Sequence, residues 1–320
     1  MTDREPSGVT PHQADEGFED SFLARNHIHP VVFAFICLFL VFILYQVIGG
    51  TLTFLFVGQT EITPDNVTAV RLLTLLGQIV FILLPTLLFA RMMATRTAPV
   101  FRWRTPRLLE TFFAAISVVF LQQVLQIYLF FQEQVPIPDS IREILEPLRQ
   151  SLDAMFRSIV SAETVPELLV VLVVVAVAPS VIEEMFFRGV VQHAFDRVAP
   201  GMLSAAIVGL IFALYHFNPF AFVPLVVLGS YFGFLRYRSQ SIIVAMLAHF
   251  INNALAVLTV YLGMENEALV GSTPQGDAAL APVLSQLLLL AALFVVSLFA
   301  YFRFSARVAA ESGTHGEVGA

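Results

Sequence analysis

The chain has 320 residues, 58% hydrophobic and only 13% charged, with a mean hydropathy of +0.81 and a formal net charge of −7. Soluble domains are roughly 25% charged, so this composition excludes a water-coated globular protein, and no basic patch interleaved with aromatics points to nucleic acid. All 17 basic residues are arginine, and the one cysteine, Cys37, lies in an apolar run, which leaves neither an intrachain disulfide nor a cysteine-based zinc site.

Residues 1–30 are polar and mixed in charge. They lack the basic segment and directly following apolar stretch of a cleavable signal peptide, and read as a disordered tail. Eight apolar runs follow, several near the length of about 20 residues that crosses a bilayer. The first four cover about Val31 to Phe56, Val70 to Met92, Leu109 to Phe131 and Pro166 to Phe187. The others cover about Met202 to Phe217, Phe220 to Leu235, Ile242 to Leu262 and Leu280 to Tyr301. The expected fold is an all-α polytopic bundle of about eight transmembrane helices over residues 31–306, with a flexible tail from 307 to 320. Between the third and fourth runs, Ile141, Ile144, Leu145 and Leu148 recur at helical spacing among Arg142, Arg149, Asp139, Glu143 and Glu146. That segment is expected to form an amphipathic helix on the membrane surface.

Arginine placement sets the expected orientation. Arg91, Arg96, Arg102, Arg104 and Arg107 crowd the connection after the second run, Arg197 follows the fourth, Arg236 and Arg238 the sixth, and Arg303 and Arg307 the eighth. The positive-inside rule then places both termini in the cytoplasm. The exclusive use of arginine hints at a bacterial source, hence the cytoplasmic membrane of a bacterium.

Ionisable residues inside a span are costly, and each is a functional candidate. They fall in three runs. The fourth run carries Glu183, Glu184 and Arg188. Adjacent carboxylates diverge by about 100° on a helix, whereas Glu184 and Arg188 are four apart, in the order that favours an ion pair. That pairing leaves Glu183 free to act as a general base. The fifth run carries Phe212 and His216, the seventh His249 and Asn253, each pair on one helical face. Counting from the turn at Pro200, Glu183 lies 17 residues before and His216 16 residues after, so two helical arms return both to one depth. The stretch Gly189 to Val198 is polar enough to project into the cytoplasm as a helical extension, and the three motifs are expected to converge inside the bilayer, open towards the cytoplasm.

That set suits hydrolysis by activated water. Glu183 takes a proton from water held by His216, while His249 and Asn253 stabilise the oxyanion. Two schemes stay open. In one, Zn²⁺ sits on Glu183, His216 and His249 and acidifies the water. In the other, which is preferred, no metal takes part. The zinc signature H-E-x-x-H is absent.

The ordered set E-E-x-x-x-R, F-x-x-x-H and H-x-x-x-N resembles the CAAX-protease and bacteriocin-processing family, CPBP, which includes the type II prenyl endopeptidases and the Abi proteins. The matching residues are Glu183, Glu184 and Arg188, then Phe212 and His216, then His249 and Asn253, within about 168–262. The resemblance implies an eight-helix intramembrane endopeptidase acting on membrane-associated or lipid-linked proteins and peptides, with those polar residues catalytic. Many members are labelled metalloproteases. Two other functions use the same polar cluster differently: an ion- or proton-coupled transporter, and a non-catalytic immunity or scaffold protein.

Overall fold

A chain in hydrocarbon must satisfy every backbone N–H and C=O internally, which apolar runs of this length do by forming helices. In the computed structural model, which describes residues 18–58, 62–264 and 280–314, the regular elements are indeed helices. We number the principal ones α1 (Pro30–Val57), α2 (Val67–Met93), α3 (Leu108–Gln134), α4 (Asp139–Val160), α5 (Val165–Phe195), α6 (Gly201–Tyr215), α7 (Phe222–Ser239), α8 (Ile242–Tyr261) and α9 (Leu280–Thr314).

Six of them, α1, α2, α3, α5, α8 and α9 as far as Ser305, are long and apolar enough to cross a membrane. The two other expected spans fall short of that standard for physical reasons. Helix α6 has 15 residues, less than the thickness of a typical hydrocarbon core. Helix α7 carries Arg236 and Arg238 in its last turn. Helix α9 runs on to Thr314 through part of the tail expected from 307 to 320, of which residues 315–320 lie outside the described residues. Residues 1–17 of the expected N-terminal tail lie outside the described residues.

Two buried clusters organise the bundle. In one, Phe186, Val190, Val191 and Ala194 of α5 meet Phe33 and Cys37 of α1, Phe89 and Met93 of α2, and Phe212 of α6. In the other, Val118 and Leu121 of α3 pack with Phe232 and Leu235 of α7, Ala245 and Ala248 of α8, and Tyr301 of α9. Phe56, Leu288, Leu55 and Phe299 are among the most exposed apolar side chains, as expected of surfaces that face lipid. The stretch 189–195, expected to project beyond the bundle, is instead buried in it.

Several helices contain widened, π-type turns. Those at Gln78–Leu83 and Leu172–Val177 end just before Pro85 and Pro179. Proline supplies no N–H and its ring crowds the preceding turn, so the wider turn absorbs the clash. A third, at Met185–Val191, carries Arg188. Helices α6 and α7 cross at Gly209 and Gly229, where a methyl group on Gly209 would come within 2.3 Å of the Ser230 hydroxyl and 2.4 Å of its backbone nitrogen. Only a glycine there lets the two backbones approach so closely.

The expected amphipathic helix forms as α4, and Arg71 of α2 fastens its end. The buried Arg71 guanidinium donates to the carbonyls of Ser158 (3.1 Å), Ile159 (2.9 Å) and Ser161 (2.5 Å) and pairs with Glu167 of α5 at 2.6 Å. The last carbonyls of a helix lack partners within it, and a cation there satisfies them and opposes the dipole.

Candidate active site

The site grows from the last turns of α5. Glu184 and Arg188 are both fully buried, and Glu184 Oε1 lies 2.9 Å from Arg188 Nη1. The same oxygen accepts from His249 Nδ1 of α8 at 2.9 Å. Arg188 Nη2 donates to the Gly229 carbonyl at 2.8 Å, which the glycine crossing brings into reach. One carboxylate thus ties α5 to α8, and its partner arginine ties α5 to α7. Removed from water, such charges persist only when each meets an opposite charge or a hydrogen bond.

Aromatic rings wall this network. The Arg188 guanidinium lies 4.7 Å from the centroid of Phe212 and 5.6 Å from that of Phe232. His249 stacks on Phe232, with centroids 4.9 Å apart and planes 16° from parallel. Phe212 also touches both histidines, with centroids 4.4 Å from His216 and 6.0 Å from His249. The F-x-x-x-H spacing therefore places Phe212 as a spacer between the two imidazoles.

His216 caps the end of α6, and its Nδ1 lies 2.8 Å from the Phe212 carbonyl oxygen. A carbonyl only accepts, so Nδ1 carries the proton and Nε2 of the neutral ring keeps its lone pair. The Gln46 amide of α1 donates to the neighbouring Tyr215 carbonyl at 3.3 Å. Asn253, one turn beyond His249, donates to the Val175 carbonyl of α5 at 2.9 Å, and its own oxygen accepts from Asn252 at 3.1 Å.

Glu183 is half-buried, and its Oε2 is fully shielded with no hydrogen-bond partner among the described residues. Its charge is felt by Arg188 and by Tyr45 of α1, whose hydroxyl is hydrogen-bonded to Gln78 of α2. Sequence reasoning passed over Tyr45, Gln46 and Gln78. The available signal was polarity in mid-span, since spans α1 and α2 were read as clean. Phe232 and the Gly229 carbonyl gave no signal, because their roles come from tertiary packing alone.

The structure thus brings Glu184, Arg188 and His249 into direct contact and sets Phe212 against both histidines. The zinc alternative on Glu183, His216 and His249 does not find its ligands assembled. Among the described residues no three His, Cys, Asp or Glu side chains come close enough to hold a metal ion. The Nδ1 bonds of His249 and His216 would still leave each Nε2 free to ligate, so it is the separation of the side chains that leaves the set unassembled.

The arginine-rich end beyond the site is closely packed. From Met185 to Phe195 every residue of α5 is buried. Past them Asp196 pairs with Arg236 at 2.5 Å and Arg102 at 3.1 Å. Burial alone would raise the Asp196 carboxyl, but Arg236 and Arg102 together outweigh it and hold it below its usual range. Burial, with Arg236 adding to it, brings the Arg102 guanidinium down to about 10.

No curated protein and no solved structure matches the chain. Residues 165–255 of this integral membrane protein match the family model described as type II CAAX prenyl endopeptidase Rce1-like, and that stretch carries the motif order read in the sequence.

Proposed function

We propose that the chain is an intramembrane endopeptidase that hydrolyses peptide bonds of membrane-associated or lipid-linked proteins with water activated by Glu183 and His216. The observation that carries this reading is the shielded, unpartnered Oε2 of Glu183 beside a fully buried Glu184–Arg188–His249 network, all within the Rce1-like stretch. Because Glu184 is committed to Arg188 and His249, Glu183 is the carboxylate left to accept a proton.

The water oxygen attacks the scissile carbonyl carbon while Glu183 takes its proton. His216, fixed by its Nδ1 bond to Phe212, offers Nε2 to the same water. His249 and the remaining amide hydrogen of Asn253 are set to stabilise the oxyanion. With its Nδ1 hydrogen given to Glu184, His249 donates to the oxyanion from Nε2 only as the imidazolium, its second proton supplied by solvent water. Glu183 then returns its proton to the leaving amine. Glu184 and Arg188 act as positioning residues.

In this scheme the substrate approaches within the membrane, and both termini of the enzyme lie in the cytoplasm of a bacterium. The test is cleavage of a membrane-tethered reporter in cells expressing the chain. Glu183→Ala and His216→Ala are each expected to abolish cleavage at unchanged protein level, and full cleavage by both overturns the proposal.

A further inference from the structure

A cavity of about 540 Å³ lies between α1 and α2, within the range of roughly 300–1,000 Å³ typical of ligand pockets. No charged side chain lines it. Apart from the Thr74 hydroxyl its few polar side chains are engaged: the Thr53 hydroxyl donates to the Gly49 carbonyl at 3.0 Å, Gln46 to Tyr215, and Tyr45 is bonded to Gln78. An extended peptide would bring an N–H and a C=O per residue with few groups to receive them, and each unmet group is costly in a dry cavity. A hydrocarbon chain brings none.

Length and position narrow the occupant further. On α1 the lining runs from Tyr45 to Val57, which at about 1.5 Å per residue is roughly 18 Å. One leaflet of a bilayer contributes about 15 Å of hydrocarbon. Lining residues such as Phe56 and Leu76 are also exposed on the outer surface, so the cavity is continuous with the face that meets lipid. Its far end is closed by Met155 and Ile159 of α4, the amphipathic helix suited to headgroup level.

We propose that this cavity binds one acyl tail of a bilayer phospholipid, running from headgroup level beside α4 down to Tyr45. The tail ends against the Tyr45–Gln78 pair and closes that flank of Glu183 to water. The assignment rests on the cavity alone and stands whether or not the chain is a protease.

Gly50 provides the test. It lines the cavity, has helical dihedrals, and a methyl group added there would meet nothing within 4 Å. Full-length protein is reconstituted into vesicles of phosphatidylethanolamine and phosphatidylglycerol doped with a phosphatidylcholine bearing a diazirine at the end of one acyl chain. After irradiation, the labelled residues are mapped by peptide mass spectrometry. The expected result is labelling at Tyr45 and Gly77 in the unaltered protein. That labelling falls at least tenfold in Gly50→Phe, while exposed Leu288 of α9 is labelled equally in both. Gly50→Leu, a smaller plug with better helix propensity, serves if thermal unfolding shows that Gly50→Phe does not fold. Absence of label at Tyr45 in the unaltered protein, or equal label at Tyr45 in the filled variant, overturns the proposal.

Discussion

Two neighbouring carboxylates on α5 have different surroundings, and that difference decides their chemistry. Glu184 shares Oε1 between Arg188 and His249, whereas Glu183 keeps an oxygen shielded and unpaired. Removing one partner of a buried ion pair typically costs about 3–5 kcal/mol, because the other charge is stranded. Glu184→Gln and Arg188→Ala are each expected to destabilise on that scale, and their combination by less than the sum, read by thermal unfolding of the purified protein. At the arginine-rich end the Asp196 carboxyl binds its proton less tightly folded than unfolded. Its contribution is therefore complete above the ordinary aspartate value of about 3.9 and is lost as the pH falls through the lower folded value. We expect a thermal midpoint that is flat from neutrality to about pH 4 and declines below. In Asp196→Asn the midpoint is lower at neutrality and this portion of the acid decline is gone.

Elements were more legible than contacts. Apolar runs located most helix ends to within a few residues because length and hydropathy decide a span, but α5 continues past Phe187 to Phe195 and α9 past Tyr301 to Thr314. The short α6 escaped that logic, since its burial comes from the close crossing with α7 at Gly209 and Gly229, which no single-helix pattern encodes. The Glu184–Arg188 pair was readable from its i,i+4 spacing. The bond from Glu184 to His249 was not, because it joins residues 65 positions apart. Arg71 is a similar case: at the mouth of α2 it looks like a stray charge, yet its guanidinium holds the end of α4. Arg71→Ala is expected to free that end. Hydrogen exchange over residues 155–161 should rise at least tenfold while exchange in α8 stays unchanged, and equal protection in both proteins would deny Arg71 this role.

At the scale of the whole molecule, the Rce1-like stretch supplies the ionisable residues, while α1 and α2, outside it, supply Tyr45, Gln78 and the cavity wall. Helices outside the matched stretch thus contribute groups beside Glu183, and the turns of α5 towards the arginine-rich end are buried. The polar stretch 189–198 suggested a solvated extension, whereas it is buried as far as Phe195 and some of its polar groups find partners inside the bundle. Gln192 donates to the Gly233 carbonyl at 3.1 Å, and Asp196 meets two arginines. The most direct test of the account is the turnover of a tethered peptide reporter by purified Glu183→Gln in proteoliposomes. The account predicts kcat lower by about 10²–10⁴-fold, the usual share of general base catalysis, with KM within twofold and unaltered thermal unfolding. Turnover equal to that of the unaltered protein would contradict it.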